Sequence, residues 1–406
     1  MKKTNAGGTP VLRSLLPVCF MVLVLLGLYV RFTASSLWDD SYMFTRYADS
    51  LIAGRGFAFN PDGEPAFGLT SLAQLGVLVP LRLLLPGDPV LPLLLTSLLS
   101  GIMFFLFLAA VVRREAEKVR EVPGTLATGI IFFSLAFASS DLVVHLTSGM
   151  DTMLALAYLC LYLLADTAAR RKPSVAAAAG TGFLGGAAVL VRPDLLVFTL
   201  CIPAVSLVFS RGEARRMDLI RLVCSAVFLA PLPFLAQRYL NSPVPLAGYV
   251  KSPGFYGGGF SSMYRVESLK QLWLFIFAYP VPVGLTALAA AVAPRAWFGS
   301  LSPFHRGLLV SSALFTVFEL LFVDQIMGMS QRFYYPVLPA LLLLSVSSAG
   351  FLLGRFGKDS SGGVLSRGQP SRRWAVPAFF IFLFLYKPSE PGRPCYICSF
   401  TDIYKQ

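Results

Sequence analysis

The sequence predicts an all-α polytopic membrane protein, and three observations support this. Of its 406 residues, 56% are hydrophobic and 14% are charged, whereas a soluble domain carries about a quarter charged residues. Uncharged runs such as 15–30 and 91–112 approach or exceed the length that crosses a bilayer. Short basic clusters separate the apolar runs, as in membrane proteins whose cytoplasmic loops are positively charged.

About 11 apolar runs are candidate transmembrane helices. The first follows Lys2, Lys3 and Arg13, and it is longer than the core of a usual signal peptide. No small-x-small cleavage pattern follows it directly, so we interpret it as an uncleaved span. The candidate spans are 12–32, 89–112, 123–140, 151–168, 175–191, 194–210, 219–237, 270–293, 307–324, 333–352 and 374–386.

The basic clusters also predict the orientation of the chain, with a cytoplasmic N-terminus. They share one side of the membrane only if the apolar stretch 68–86 does not cross it. Pro80 and Arg82 would both be costly in mid-membrane, which favours an interfacial helix there. Residues 33–88 are therefore predicted to form one outer loop, with a short amphipathic helix over 41–53.

Composition argues against several classes of function. A net charge of +13 suggests nucleic acid in a soluble protein, but here the basic residues lie between apolar runs. No nucleic-acid partner is therefore predicted. With two histidines and no P-loop or nucleophile elbow, the chain also lacks the usual patterns for metal hydrolysis. Cys395 and Cys398 form a lone CxxC, which is a weak metal signal.

Two adjacent aspartates, Asp39 and Asp40, open the first outer loop. Adjacent carboxylates repel each other, so a pair at a membrane surface can hold one carboxylate that accepts a proton from an acceptor hydroxyl. The competing interpretation is a helix N-cap, which satisfies free backbone amides. Because caps are common, these residues alone favour the cap, although one aspartate can cap while the other faces a site.

Two later outer segments carry further charged residues. His145 precedes Ser148-Gly149-Met150-Asp151-Thr152, where Asp151 begins a span and is most simply a helix cap. Arg192-Pro193-Asp194 is the whole connection between two spans. An arginine at the membrane edge has lipid phosphate as its natural partner, while a local pair with Asp194 is an equal alternative.

Basic residues also occur in the last two outer segments. The loop around 241–260 is rich in Pro, Gly and Tyr and contains Lys251, a composition typical of irregular loops that reorder around substrate. Arg332 precedes Phe333, Tyr334 and Tyr335 at the start of a span. Arg332 is either an interfacial anchor beside aromatic residues or a ligand for phosphate.

Taken in chain order, these elements resemble the signature of bacterial membrane glycosyltransferases of the GT-C superfamily. Residues 39–48 resemble its DDAYI-FRYA element, residues 54–60 its G-GLVFN element, and residues 68–71 its EGYT element. Residues 148–152 are similar to the SGLET element of the arabinofuranosyltransferase-like branch, which includes enzymes of mycobacterial arabinan assembly. Segments 192–194 and 332–336 also fit.

The resemblance implies a GT-C fold of about 11 transmembrane helices, with two juxtamembrane helices in the first outer loop. It implies a polyprenyl-phosphate sugar as donor, and Asp39 or Asp40 as the base that deprotonates the acceptor hydroxyl. We favour Asp39, with Asp40 as a positioning carboxylate. Residues 1–386 are predicted to form the catalytic domain, and 387–406 a short tail.

The predicted site has three groups of residues. The catalytic pair is Asp39 and Asp40. The ligands of the donor phosphate are Arg192, Lys251 and Arg332. The remaining substrate-binding residues are Tyr42, Arg46, Asn60, His145, Asp151, Asp194 and Tyr335. No cofactor and no metal ligand are predicted, while the need for a divalent cation is left open.

The predicted activity is transfer of a hexosyl or pentosyl group, with inversion or retention, to an acceptor glycan, lipid or protein. The predicted location is the outer face of a bacterial cytoplasmic membrane, where membrane lipid is a further partner. One alternative is a flippase or transporter of lipid-linked sugars, which predicts charges within several spans, whereas these spans are nearly charge-free. A second alternative is an inactive scaffold of envelope assembly.

Overall fold

A computed structural model describes residues 37–60, 62–118, 130, 134, 139–251, 262–323, 325 and 329–359. The predicted spans 12–32 and 374–386, nearly all of 123–140, and the predicted domain boundary at 386 lie outside these residues. Residues up to Lys358 belong to one compact unit, and a second unit begins at Asp359.

Every regular element in the described ranges is a helix. The α-helices are α1 (Ser41–Ile52), α2 (Leu72–Leu84), α3 (Leu91–Ala116), α4 (Ser139–Thr147), α5 (Thr152–Arg171), α6 (Val175–Val191), α7 (Leu196–Phe209), α8 (Gly212–Leu229), α9 (Leu232–Leu240), α10 (Leu246–Val250), α11 (Ser262–Ala278), α12 (Pro280–Val292), α13 (Pro294–Ser300), α14 (Pro303–Phe322) and α15 (Val337–Asp359). Short 3-10 turns occupy Pro193–Leu195 and Met329–Gln331.

Several of these helices are suited to a bilayer, in which a helix satisfies its own backbone groups. Within the described residues, five helices are long and apolar enough to cross a membrane, or six if one bent pair counts as a single span. They include α3, α5 and α14, whereas α6 is a shorter apolar helix. The chain is therefore an all-α polytopic membrane protein, as predicted.

The two short helices predicted for the first loop are present as α1 and α2. Phe44 and Tyr47 of α1 share a buried cluster with Leu75 and Leu78 of α2. Arg82 of α2 reaches back to α1, where its Nη2 lies 2.9 Å from Asp49 Oδ1. With 13 residues, α2 is about 20 Å long, shorter than the roughly 30 Å hydrocarbon core of a bilayer.

The connection between α1 and α2 begins with two glycines in the left-handed region. Gly54 and Gly56 both have φ of 72°, a conformation in which a side chain would be strained. Tyr47 then fixes the return of the chain, because its hydroxyl donates to the Ala66 carbonyl at 3.1 Å.

The span predicted over 270–293 is wrong as a single helix. It consists of α11 and α12, whose axes meet at 92° on either side of Tyr279. Pro280 and Pro282 lie in the first turn of α12. Proline lacks a backbone N–H and favours the start of a helix over its interior, which accounts for the break.

A buried ionic cluster joins α5 to α8. Arg170 Nε lies 2.7 Å from Asp166 Oδ2 and its Nη2 lies 2.8 Å from Asp218 Oδ1. Arg221 repeats the arrangement, 2.8 Å from Asp166 Oδ1 and 2.9 Å from Asp218 Oδ1. Both aspartates are fully buried. The expectation that the spans are nearly charge-free is therefore wrong for these two helices.

Replacing Asp218 by alanine should destabilise the fold. The substitution leaves Arg170 and Arg221 with a single carboxylate between them, and breaking a buried charge pair costs roughly 3–5 kcal/mol. We expect a loss of that size in the free energy of unfolding, measured by circular dichroism in detergent. Glu213→Ala, at the exposed start of α8, is the matched control and should change little. An unaltered unfolding curve for Asp218→Ala would show that the cluster is energetically neutral.

Candidate active site

The first loop is attached to the segment 148–151, which connects α4 to α5. Trp38 N donates to the Ser148 carbonyl at 3.1 Å, directly before α1. Gln74 of α2 is buried, and its Nε2 donates to the Gly149 carbonyl at 2.7 Å. The two short helices are thus tied to the segment 148–151, and this fixes where the aspartate pair lies.

Gly149 permits this attachment. It has φ of 72°, and a Cβ there would lie 2.7 Å from Leu37 Cδ2 and 2.9 Å from Ser41 Cβ. Both the backbone conformation and the close approach therefore require glycine. The α1 N-terminus can pack against the segment only because this side chain is absent.

The two aspartates have different surroundings. Asp40 Oδ2 lies 3.8 Å from Nη2 of Arg332, with the Asp40 side chain 32% exposed. Asp39 is exposed, and its Oδ1 accepts a hydrogen bond from Asp40 N at 2.9 Å. Asp40 occupies the N-cap position of α1, but its side chain makes no capping hydrogen bond. The structure therefore directs Asp40 toward a basic residue, and the capping interpretation does not hold for it.

Arg332 is buried among aromatic rings. Its guanidinium carbon lies 5.5 Å from the centre of the Trp38 ring and 4.9 Å from that of Phe333. Burial lowers the pKa of Arg332. Its Nη1 has no hydrogen-bond partner among the described residues. A buried guanidinium nitrogen of this kind is available to an anionic ligand.

The turn before Arg332 is strained and firmly held. Ser330 and Gln331 have φ of 50° and 55°, which non-glycine residues seldom adopt. The Ser330 carbonyl lies 2.8 Å from His145 Nε2, and Gln331 N donates to Gln271 Oε1 at 3.2 Å. Strain of this kind persists only where the surroundings enforce it, and it is common at functional sites.

Lys251 also contacts the Phe333 ring. Its Nζ is 4.9 Å from the centre of that ring, so two cations contact one aromatic side chain. Burial, together with the positive charges of Arg332 and Arg192, lowers the pKa of Lys251 to about 8. No carboxylate of the described residues lies within ion-pair distance of Lys251. An anion between these cations would relieve their repulsion.

Arg192 is already paired. Its Nε donates to Asp194 Oδ1 at 3.1 Å, and its Nη2 contacts Asp194 Oδ2. Although burial lowers the pKa of Arg192, the carboxylates of Asp194 and Asp151 raise it overall. The local pair considered from the sequence is therefore present. Its charge still acts on Lys251 and Arg332.

Asp151 does not cap α5 with its side chain, contrary to the simpler interpretation of the sequence. Its Oδ2 instead accepts a hydrogen bond from Thr70 Oγ1 at 3.3 Å. Its negative charge acts on Arg192, Lys251 and Arg332. Asp151 thus joins the first loop to the basic residues.

His145 forms part of the wall of the site. Its ring centre lies 5.6 Å from that of Trp38 and 4.5 Å from that of Tyr335, both in edge-on contact. Burial lowers its pKa to about 4, so the imidazole is neutral at physiological pH. Its Nε2 then donates to the Ser330 carbonyl. His145 supports the strained turn, and Tyr335 packs behind it.

The other predicted substrate ligands stay near the first loop. Tyr42 is 41% exposed. Arg46 lies over the Phe59 ring at 4.9 Å, and exposed Asn60 accepts Gly63 N through its carbonyl at 3.1 Å. In the described ranges, no hydrogen bond or ion pair connects these three residues to the basic residues of the site. Those ranges also hold no group of three or more metal-ligating side chains suited to a metal ion.

Glu319 was not among the predicted site residues. This acid lies in α14 and is 2% exposed. The charged groups that act on it are Asp194, Arg192, Lys251 and Arg332. The sequence signal was an acid inside the apolar run 307–323, a pattern that indicates a functional residue in a membrane span.

We define the charged site as Asp40, Asp151, Arg192, Asp194, Lys251, Glu319 and Arg332. Within it, the cations of Lys251 and Arg332 both contact the Phe333 ring, and the carboxylate of Asp40 lies beside Arg332. This arrangement can hold a phosphate group and place a carboxylate next to it.

The comparisons identify the class of fold. No family model matches the sequence, and no curated protein matches it. The structure is similar to that of ArnT from Cupriavidus metallidurans bound to undecaprenyl phosphate, with a TM-score of 0.53 and 15% identity over 84% of this chain and 64% of that one. The apo structure of the same ArnT gives a TM-score of 0.50 and 15% identity, over 81% of this chain and 59% of that one.

The protein is thus a polytopic membrane protein with the GT-C fold. ArnT is a glycosyltransferase with that fold. The chain spans less than two thirds of the ArnT structures it matches. Neither structure bears on the arabinofuranosyltransferase-like branch.

Gly149→Ala should disturb the attachment of the first loop. The added Cβ meets Leu37 and Ser41 at a positive φ, so we expect the free energy of unfolding to fall by about 1–3 kcal/mol. Thermal unfolding in detergent measures this. Gly180→Ala in α6 is the control, because a Cβ there meets nothing within 4 Å. If both variants unfold like the wild type, Gly149 does not have the role assigned to it.

Binding of an anion at Lys251 should depend on pH. Because the pKa of Lys251 is lowered to about 8, its charge is present below that pH and is lost above it. The affinity for a phosphodiester anion should therefore fall by roughly tenfold as pH rises through about 8. In Lys251→Arg the charge persists, so the titration should be flatter. Ligand-induced thermal shifts from about pH 7 to about pH 9.5 measure this, and equal slopes in both proteins would contradict it.

Proposed function

We propose that the protein is a glycosyltransferase of the GT-C type, which moves a sugar from a polyprenyl-phosphate donor to an acceptor glycan, lipid or protein. The observation that carries the proposal is the contact between Asp40 and Arg332, 3.8 Å from carboxylate oxygen to guanidinium nitrogen. It pairs a base with a phosphate ligand within a fold shared with ArnT. The proposed location is a bacterial cytoplasmic membrane, with the site on its outer face.

The donor phosphate is assigned to Arg332 and Lys251. Arg332 has an unpartnered buried nitrogen, and Lys251 has no carboxylate partner among the described residues. A phosphodiester carries one negative charge, which these two cations can neutralise. Arg192 contributes its charge from further back, since Asp194 occupies its hydrogen bonds. An ArnT structure bound to undecaprenyl phosphate supports a lipid of this class.

Asp40 is assigned as the base. The acceptor oxygen attacks the anomeric carbon, and the bond between that carbon and the phosphate oxygen breaks. The electron pair leaves with polyprenyl phosphate, and the acceptor proton passes to the Asp40 carboxylate. Arg332, beside both groups, stabilises the charge that develops on the leaving phosphate. A single displacement of this kind inverts the anomeric configuration, and it requires no cofactor.

This assignment differs from the preference for Asp39 that was based on the family resemblance. Asp39 is exposed and accepts the amide of Asp40, which suits a residue that positions the start of α1. Asp40 is the one that approaches a basic residue of the site. The finer proposal of a pentosyl donor, as in the arabinofuranosyltransferase-like branch, is supported by the motifs in 39–48 and 148–152.

A flippase for lipid-linked sugars is the second candidate. Charged side chains within α5, α8 and α14 support it. These side chains differ from the expectation that the spans are nearly charge-free. The Asp166, Arg170, Asp218 and Arg221 cluster is internally paired, however, and offers no open path for an anion. Sugar transfer therefore accounts better for the charged site.

Separate substitutions of the two aspartates test the proposal. Asp40→Asn should lower kcat by roughly a hundred- to ten-thousand-fold, because the amide cannot accept the acceptor proton. Asp39→Asn should retain most activity. The assay follows transfer from a radiolabelled polyprenyl-phosphate sugar in proteoliposomes.

Asp62→Asn is the matched control, since Asp62 is exposed in the same loop, and it should be fully active. Full activity of Asp40→Asn would remove the proposed base. Movement of the labelled lipid across the bilayer without transfer, in the wild type, would favour the flippase.

A further inference from the structure

Glu319 presents a buried carboxyl oxygen without a partner. The residue is 2% exposed in α14, and Oε2 makes no hydrogen bond among the described residues. A carboxyl group in a membrane span is costly, and buried polar groups are nearly always hydrogen-bonded. An acceptor left open inside the protein therefore indicates that a donor comes from elsewhere.

The surroundings place this oxygen at the charged site. The groups that act electrostatically on Glu319 are Asp194 and Arg192 in the turn between α6 and α7, Lys251 after α10, and Arg332 before α15. These include both cations assigned to the donor phosphate. Glu319 thus adds a buried carboxyl group from α14 to the surroundings of these cations.

The basic residues nearby do not satisfy Glu319. Arg192 is occupied by Asp194, and Arg332 lies closest to Asp40. Within the described ranges, no ion pair within 4.0 Å includes Glu319. The Glu319 carboxyl group thus interacts electrostatically with these cations, while its Oε2 has no hydrogen-bond partner among the described residues.

The chemistry of a sugar phosphate suits this arrangement. A phosphate oxygen cannot approach a carboxylate without repulsion, whereas a hydroxyl group donates a strong hydrogen bond to one. In a glycosyl phosphate, the sugar hydroxyls lie next to the phosphate that Arg332 and Lys251 would hold. We propose that Glu319 accepts a hydrogen bond from a hydroxyl of the donor sugar and so determines which sugar binds. This inference rests on the proposed function.

The test compares lipids with and without a sugar. Purified protein in nanodiscs is titrated with undecaprenyl phosphate and with undecaprenyl phosphate that carries glucose, mannose or arabinose. For the sugar lipid that the wild type binds best, Glu319→Ala should weaken binding by about 10- to 100-fold. Binding of undecaprenyl phosphate itself should be unchanged, because that lipid carries no sugar hydroxyl for Glu319 to contact.

Two further proteins keep the result interpretable. Glu319→Gln retains the shape and one acceptor oxygen, so it should fold like the wild type and bind the sugar lipid with intermediate affinity. Ser311→Ala changes a buried polar residue two turns earlier on the same face of α14, and it should bind like the wild type. Deoxy-sugar donors add a direct readout, since removal of the contacted hydroxyl should weaken binding to the wild type and not to Glu319→Ala.

Three outcomes would overturn the inference. Equal losses for the sugar lipid and for undecaprenyl phosphate would mean that Glu319 acts on the cations. Unchanged binding of both lipids would mean that it contacts neither. A deoxy penalty that is the same in wild type and Glu319→Ala would assign the hydroxyl to another residue. Failure of the wild type to bind any polyprenyl lipid would instead overturn the proposed function, and this inference with it.

Discussion

The attachment of the first loop to the segment 148–151 determines the rest of the site. Two hydrogen bonds to adjacent carbonyls, from Trp38 N to Ser148 and from Gln74 to Gly149, hold the start of α1 and the first turn of α2. Without them, Asp40 would lie on an amphipathic hairpin that could move along the membrane surface. With them, its carboxylate is fixed beside Arg332. Positioning of this kind is the main contribution a protein makes to a transfer reaction.

The charged site brings many charged groups close together. Three cations and four carboxylates form the charged site, and each acts on several others. Alternation of sign keeps the repulsion between like charges low. The Phe333 ring, in contact with both Lys251 and Arg332, offers them a negatively polarised face. Two atoms of the charged site, Arg332 Nη1 and Glu319 Oε2, have no hydrogen-bond partner within the described residues.

Much of the fold could be predicted from the sequence, for physical reasons that differ between elements. Apolar runs separated by basic clusters predict helical spans, because a bilayer leaves few other structures for the backbone. Pro80 and Arg82 correctly indicated that 68–86 forms a short helix. The break at Tyr279 could have been predicted from Pro280 and Pro282, but the apolar character of 270–293 concealed it.

The site was less accessible to sequence reasoning. Arg192 and Arg332 were chosen as charges at the ends of predicted spans, and Lys251 as the basic residue of the loop 241–260. In the structure the charges of Arg192 and Arg332 act on Lys251. Arg46 and Asn60 were chosen from a motif whose residues mainly shape the first loop. Which of Asp39 and Asp40 faces the site depends on the α1 N-terminus, because adjacent residues point in different directions. No sequence pattern fixes that rotation.

Buried charged residues occur in two arrangements in this fold. One is a structural cluster of paired residues, and the other is the charged site. Asp166, Arg170, Asp218 and Arg221 form a cluster in which each carboxylate meets two guanidinium groups. The cluster has no net charge, and its charged groups are already paired with one another. Atoms of this cluster that lack a hydrogen bond, such as Arg221 Nε, still lie 2.8 Å from an opposite charge. The charged site contains the same residue types, yet Glu319 Oε2 and Arg332 Nη1 have no hydrogen-bond partner among the described residues. Since desolvating such atoms is costly, their retention is best explained by a ligand that supplies an acceptor to one and a donor to the other. A sugar joined to a phosphate carries both.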